Sequence, residues 1–355
     1  MTSKERILGI LNREKVDRIP VDLWHTDEVL QSLKDHTGLK DKLAIYRKLG
    51  VDRILWAETS YLGETRPPEG ADEVTDHWGC RRRTVQAGAA EYDEFVDYPL
   101  AGYDSPDSLD DYPWWPDVDQ YDYQKMAAHV VDNGDEFATF GPWISFFEVY
   151  CWMRGLENAM MDLALTPDLV QAALDRIEDH QTQMVRRFLK ACPEKVDMAL
   201  VSDDMGGQKS LLMSIRHWKE FIGPRLKRWC DLFHDHGIKV FYHSDGSIDA
   251  LIPHLIEAGI DILNPIQHVC PGMDRGHLKG TSGDRLIFHG GVDNQSALPF
   301  GSPEDVRVET RECLRTLGDR GGYICCSCHN VQAGTPVENI LAMIETVHRE
   351  GNRWL

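Results

Sequence analysis

Positive charge is scarce in this chain. Against 58 Asp and Glu there are 38 Lys and Arg, a formal net charge of -20 at pH 7. That balance excludes a broad nucleic-acid face, because neutralising phosphates takes clustered Lys and Arg. The one basic run, Arg81–Arg82–Arg83, is short and lies in a β-like stretch, where it reads as a solvated face. Long apolar runs are missing too: none approaches the roughly 20 residues of a membrane span. No secretory leader opens the chain, since "MTSKERILGIL" reads as a short amphipathic helix carrying Lys4, Glu5 and Arg6. The 9 cysteines, an odd number, form no disulfide framework, so free thiols in a reducing, cytoplasmic setting are expected. No repeat recurs at a fixed period of about 20–50 residues. No Gly-x-Gly-x-x-Gly follows a strand, which weakens the case for an open doubly wound sheet.

What is present is alternation. Short β-like runs occur at 18–24, 53–57, 137–141, 198–203, 239–245, 261–266, 286–291 and 323–328, and helical patterns separate most of them. "SPEDVRVETRECLRTLGDRG" opens with Ser302 as N-cap, Pro303 at the first helical position and acids in the first turn. Strands alternating with helices in this way predict an α/β fold, a (β/α)8 TIM barrel, as a single domain over 1–355. Residues 74–122 break the rhythm. They begin as a β-meander and continue as an acidic, aromatic, proline-bearing stretch, and are expected to form an insertion between strands 2 and 3 covering one end of the barrel.

In such a barrel the chemistry gathers at the C-terminal ends of the strands. Those ends here carry Asp22 and Trp24, Trp56 and Glu58, Trp143, Asp203 and Asp204, His243 and Asp245, Asn264 and Gln267, Asp293, and finally Cys326, Cys328 and His329. The opposite ends offer ordinary turn residues. Asp203, Asp204, His243 and His329 are the expected catalytic groups, with Trp24, Trp56, Trp143, Asp245, Gln267 and Asp293 as substrate contacts. At most one of the adjacent Asp203 and Asp204 points inward, because successive strand residues face opposite ways; the other is suited to a cap or turn. His243 and Asp245, at i,i+2, project to one side of a strand end, a workable ligand or acid–base geometry. The glycines of "HGGVDNQ" read either as room for a ligand against the backbone or as a tight turn. In "YICCSCHN" either Cys328 or His329 faces the mouth, so zinc held by His243, Cys328 and His329 is the metal expectation.

In order along the chain, "DRIPVDLW", "GPWISFFEVYCWMRGLENAMMDLALTPDLV", "SDDMGGQ", "HSDG", "GGVDNQ" and "GGYICCSCHNVQAGTPVENI" together resemble the uroporphyrinogen decarboxylase superfamily over nearly the whole length. That superfamily includes the decarboxylase proper and cobalamin-dependent methyltransferases, and its fold is a (β/α)8 barrel. The decarboxylase has an N-terminal "RQAGR"-like segment whose arginines hold tetrapyrrole carboxylates. Here "IPVDLWHTDEV" stands instead, with Asp22 and no Arg between Arg18 and Arg47. The branch similar to methylcobamide:coenzyme M methyltransferases binds zinc through His-x-Cys and a later Cys. Carried over, these positions fall on His243, on Asp245 in place of the Cys, and on His329 with Cys328 beside it. The resemblance therefore implies a methyltransferase or demethylase moving a methyl group between a small methylated substrate and a corrinoid on a partner protein. Zinc would sit on a harder, less thiolate-rich site, and the protein could pair as a homodimer. The alternatives are a decarboxylase or other lyase of a non-porphyrin acid, for which Arg154 would have to hold the carboxylate, and a non-catalytic ligand-binding barrel.

Overall fold

A computed structural model describes residues 1–57, 60–88 and 90–355, so Glu58, expected at a strand end, lies outside the described residues. In chain order the strands are β1 (Leu55–Trp56), β2 (Glu73–Thr75), β3 (Arg81–Ala87), β4 (Ala90–Phe95), β5 (Thr139–Phe140), β6 (Met198–Ser202), β7 (Lys239–His243), β8 (Ile262–Asn264), β9 (Ile287–Val292) and β10 (Tyr323–Ser327). β1 and β5 to β10 form one curled sheet in the order β1-β5-β6-β7-β8-β9-β10, parallel at every pairing, with helices between the strands. This is a TIM-barrel-like α/β architecture rather than a doubly wound sheet.

The run expected as a first strand, 18–24, differs: it makes only isolated bridges. Val21 pairs in parallel with Cys325, and Asp22 N donates to Cys325 O at 2.8 Å. On the other side Val21 O accepts from Asp52 N at 2.7 Å, just ahead of β1. Pro20 explains part of the shortfall, since it has no N–H to offer a ladder. The segment still stands between β10 and the approach to β1.

Side-chain parity divides the core. Ile54, Phe140, Met198, Leu200, Phe241, Ile262, Ile287, Ile324 and Cys326 form an inner cluster, and Ile7, Ile10 and Leu11 of the N-terminal helix Ser3–Leu11 pack onto it. Thr2 and Glu5 close a capping box that starts this helix. The alternate strand residues, Ala199, Val201, Val240, Tyr242, Leu263, Phe288 and Tyr323, face the surrounding helices in a separate cluster. Both sets are buried because both faces of a parallel sheet are covered.

β2, β3 and β4 form a three-stranded antiparallel sheet. Arg81, Arg82 and Arg83 do not present a free basic face: they pair with Asp97, Asp76 and Glu73 respectively. Tyr92 on β4 donates to Gln332 Oε1 at 3.4 Å, so the meander reaches the chain beyond β10. All nine cysteines are free. Among the described residues no helix is long and apolar enough to cross a membrane.

Candidate functional site

His243 is the last residue of β7, two past inward-facing Phe241, so its ring enters the mouth on the inner face. The imidazole nitrogens of His243 and His329 and a carboxylate oxygen of Asp245 lie within 4.8 Å of one another. The two rings meet edge to face at 5.7 Å between centroids. The side chains become steadily more open toward the mouth: His243 is 12% exposed, while Asp245 and His329 are 34% and 40% exposed. Burial raises the Asp245 carboxyl above its usual range, opposed by the two histidines. Burial lowers His329, opposed by Asp245, which favours the neutral ring, the form that can act as a ligand.

The loops after β6 and β7 are locked together at their backbones. A Cβ on Gly206 would lie 2.4 Å from Asp245 O, and one on Gly246 would lie 2.6 Å from the Gly206 backbone. Gly246 also has φ +84°, open to glycine at little cost. The approach lets Asp204 Oδ1 accept from Asp245 N at 2.8 Å and stand 3.9 Å from His243 Nε2.

Behind His243 runs a buried relay. His243 Nδ1 donates to Asn264 Oδ1 at 2.5 Å, and Asn264 Nδ2 donates to His289 Nδ1 at 2.8 Å. His289 Nε2 then donates to Asp22 Oδ2 at 3.1 Å. The Asp22 carboxylate only accepts, so a neutral His289 carries its proton on Nε2 and accepts at Nδ1 from Asn264 Nδ2, which leaves Asn264 Oδ1 facing His243. The Nδ1–H tautomer of His243 follows, with the Nε2 lone pair aimed at Asp204 and the mouth. Asp22 is saturated: Trp24 Nε1 donates at 2.9 Å, Leu23 N at 2.8 Å and Arg53 at 3.2 Å. Burial alone would raise Asp22; Arg53 and His289 outweigh it and hold the carboxyl well below its usual range. Asp22, His289 and Cys326 are also within ligand distance of one another. With the Asp22 oxygens and both His289 nitrogens engaged by protein partners, that group is a hydrogen-bonded core.

Several expected site residues serve other purposes. Asp203 is buried and accepts from Ser145 Oγ at 2.6 Å, Phe147 N at 2.8 Å and Glu148 N at 2.9 Å. It fixes the start of helix Phe147–Arg154 and does not face the mouth, because in "SDD" it is Asp204 that turns inward. Asp293 is spent on its own turn, accepting from Gln295 N, Ser296 N and Ala297 N. Gln267 accepts from Gly246 N at 2.9 Å and so braces the Asp245 loop. The glycines of "HGG" make room for protein: a Cβ on Gly290 would meet Ser327 O at 3.1 Å and Asn264 Nδ2 at 3.3 Å. Cys328 stands outside the cluster, with its Sγ donating to Ile266 O at 3.2 Å and its thiol pushed well up by burial. Arg154 is engaged by protein partners rather than facing the mouth cluster. It pairs with Asp162 and donates to the carbonyls of Leu100, Ala101 and Tyr103, tying down the segment ahead of Asp104.

Of the tryptophans, Trp24 lies against the His243 ring at 5.9 Å and Trp56 meets Trp24 edge to face at 5.4 Å. Trp143 stacks instead on Trp152, at 5.1 Å and 9° between planes.

Glu148 was missed by the sequence reading, although an acid inside the apolar run "ISFFEVYCW" was a visible signal. Its Oε2 accepts from Ser202 Oγ at 3.1 Å, and Ser202 is the β6 partner of His243. Burial, with Asp204 and Asp203 adding repulsion, pushes the Glu148 carboxyl up to about 8 from 4.5. The folded state therefore holds a proton that the unfolded chain releases, so stability falls as pH rises between those two values. Glu148→Gln should flatten that part of the profile, measured as denaturant midpoints of the metal-free protein at about pH 5 and about pH 8.

Comparison with known proteins agrees with this architecture. Residues 108–350 match the family model described as "Uroporphyrinogen decarboxylase (URO-D)", and the chain belongs to that family. It is 28% identical over 201 residues to a methylated-thiol–coenzyme M methyltransferase of Methanosarcina mazei, covering 56% of this chain and 49% of the relative. It is 28% identical over 133 residues to a uroporphyrinogen decarboxylase of Anaeromyxobacter dehalogenans, covering 38% of this chain and 36% of the relative. The chain thus spans about half or less of the length of each. Among solved structures, a methyltransferase from Methanosarcina mazei superposes with a TM-score of 0.68 over 98% of this chain and 99% of the other, at 18% identity.

Proposed function

As a premise we take membership of the uroporphyrinogen decarboxylase family, and we propose that this protein is a metal-assisted methyltransferase. It would move a methyl group between a small methylated substrate and a corrinoid carried by a partner protein. The observation that carries this reading is the convergence of His243, Asp245 and His329 at the mouth. Two imidazoles and a carboxylate with an open side are a donor set that zinc accepts. These three residues would hold the ion, which when bound supplies Lewis-acid polarisation of the heteroatom bearing the methyl group.

The chain's own residues do the rest. Asn264 holds the His243 tautomer, and Asp204 anchors the Asp245 backbone. Trp24 and Trp56 wall one side of the mouth. The absence of thiolate from the set favours an oxygen donor atom over thiol activation. A decarboxylase would need a cation facing its substrate's carboxylate, and Arg154 is already committed to Asp162 and three carbonyls.

Metal analysis should give about one zinc per chain, and the protein should transfer methyl groups to reduced cobalamin from a panel of methyl donors. Inactivity on every donor with a competent corrinoid partner would reject the reading. Ligand binding without turnover would indicate a non-catalytic barrel, and carbon dioxide release from a candidate acid would indicate a lyase.

A further inference from the structure

Beside the cluster a cavity of about 340 Å³ opens between β4, helix Phe147–Arg154 and the loop after β6. We propose that this cavity holds the body of the methyl donor, that the donor is an uncharged aryl-sized methyl ether, and that Glu148 donates to its leaving oxygen. The inference rests on the methyl-transfer reading and adds to it the substrate class and a further catalytic residue.

Asp204 lines this cavity and also touches the His243–Asp245–His329 cluster, accepting from Asp245 N at 2.8 Å and lying 3.9 Å from His243 Nε2. A molecule in the cavity therefore has one end at the ligand set. The volume is at the lower end of the range for small-molecule sites, about 300–1,000 Å³, and suits a single ring with small substituents.

The walls are apolar and braced. Phe95, Tyr98, Phe147, Trp152 and Leu212 line it. Arg82 lies over both Phe95, at 4.7 Å, and Trp152, at 4.8 Å, while Trp143 stacks on the Trp152 ring. The Arg82 charge is committed to Asp76 at 3.0 Å, so it stiffens the aromatic wall without offering itself to a ligand. Among the described residues no Lys or Arg lines it, and two acids, Glu148 and Asp204, do. A sulfonate- or carboxylate-bearing donor would meet carboxyl groups with no cation to offset them. A neutral ring loses little by entering.

Glu148 supports the choice of a neutral ether over an onium ion. Burial and the neighbouring Asp204 and Asp203 favour its protonated form, a hydrogen-bond donor. In the step, the methyl–oxygen bond breaks and its electron pair stays on oxygen. The reduced corrinoid of the partner protein would supply the nucleophile that accepts the methyl group. The Glu148 proton goes to the oxygen, leaving a neutral hydroxyl product and a Glu148 carboxylate that regains its proton from solvent.

The test uses the zinc-loaded full chain and three probes: 2-methoxyphenol, 2-(methylthio)ethanesulfonate and trimethylphenylammonium. Calorimetry should show saturable binding of 2-methoxyphenol tighter than either ion. Leu212 is 39% exposed, so Leu212→Trp can fill the cavity without disturbing the core; it should weaken 2-methoxyphenol at least about tenfold, or 1.4 kcal/mol, with zinc content unchanged. Glu148→Gln should bind 2-methoxyphenol as the parent does and transfer its methyl group about 100-fold more slowly, the low end of general-acid effects. Tighter binding of either ion overturns the proposal. Should no donor yield methyl transfer while 2-methoxyphenol binding still responds to Leu212→Trp, the methyl-transfer reading and the Glu148 role fall and the binding site stands. Should transfer proceed while binding ignores Leu212→Trp, the cavity assignment alone falls.

Discussion

His243→Ala should bind zinc so weakly that a chelator of moderate affinity strips it, and methyl transfer should vanish with the metal. His243 is the most enclosed of the three clustered groups and the only one on a strand. Losing it leaves one carboxylate and one imidazole on loops, too few to close a zinc site. A graded series makes the expectation quantitative. Asn264→Leu keeps all three ligands and removes the partner of His243 Nδ1, together with the bonds from Asn264 Nδ2 to His289, so affinity should fall by about 10–100-fold, as it does when the group orienting a metal-bound imidazole is lost. His243→Ala should exceed that range. Cys328→Ser should change nothing, because the Cys328 thiol bonds Ile266 O and not the cluster. Competition titration of zinc against a chelator reads all three variants. Parent-like affinity in His243→Ala would remove the metal centre, and an effect of Cys328→Ser would restore the thiol to it.

Asp22→Ala should cost more stability than any substitution at the mouth. The carboxylate is fully buried and accepts from Arg53, His289, Trp24 and two backbone amides, those of Leu23 and Ile54. Its removal leaves a buried guanidinium without its counter-charge, a change that typically costs about 3–5 kcal/mol. Asp22→Asn, which keeps an acceptor, should cost less. Because the folded-state carboxyl lies below its unfolded value, its contribution is present above the unfolded value and is lost as pH falls through the folded one. The parent should therefore lose more stability on acidification than Asp22→Ala does. Denaturant titrations with unchanged slope would establish both points; a loss under about 1 kcal/mol would show that the Arg53 pair contributes little net stability.

Strand centres were legible because alternation of apolar residues is decisive wherever one face must enter a barrel. Phe241, Ile262 and Ile287 fixed the inner face, and with it the inward His243, Asn264 and His289 two residues on. That parity could have revealed the relay, but His289 was overlooked beside its glycines. Past the ladder the rule lapses. Ser327 Oγ turns back to His329 O at 2.6 Å, and from there the ring of His329 takes the position that Cys328 was equally entitled to by sequence. Asp203 and Asp204 show the same limit: their adjacency said one of them faces in, but only the docking of helix Phe147–Arg154 onto Asp203 decides which. Arg154 and Asp293 were illegible as scaffold for a related reason, since their partners are carbonyls and amides that no residue pattern announces.

The rim ligands are mounted unequally. His243 is clamped by a sheet and a hydrogen-bonded chain beneath it, whereas Asp245 and His329 hang from turns that leave the sheet. An ion seated there would have one stiff bond and two compliant ones. The two turn-borne ligands could therefore shift to admit a further ligand atom to the ion and return as it departs, with the barrel itself standing still.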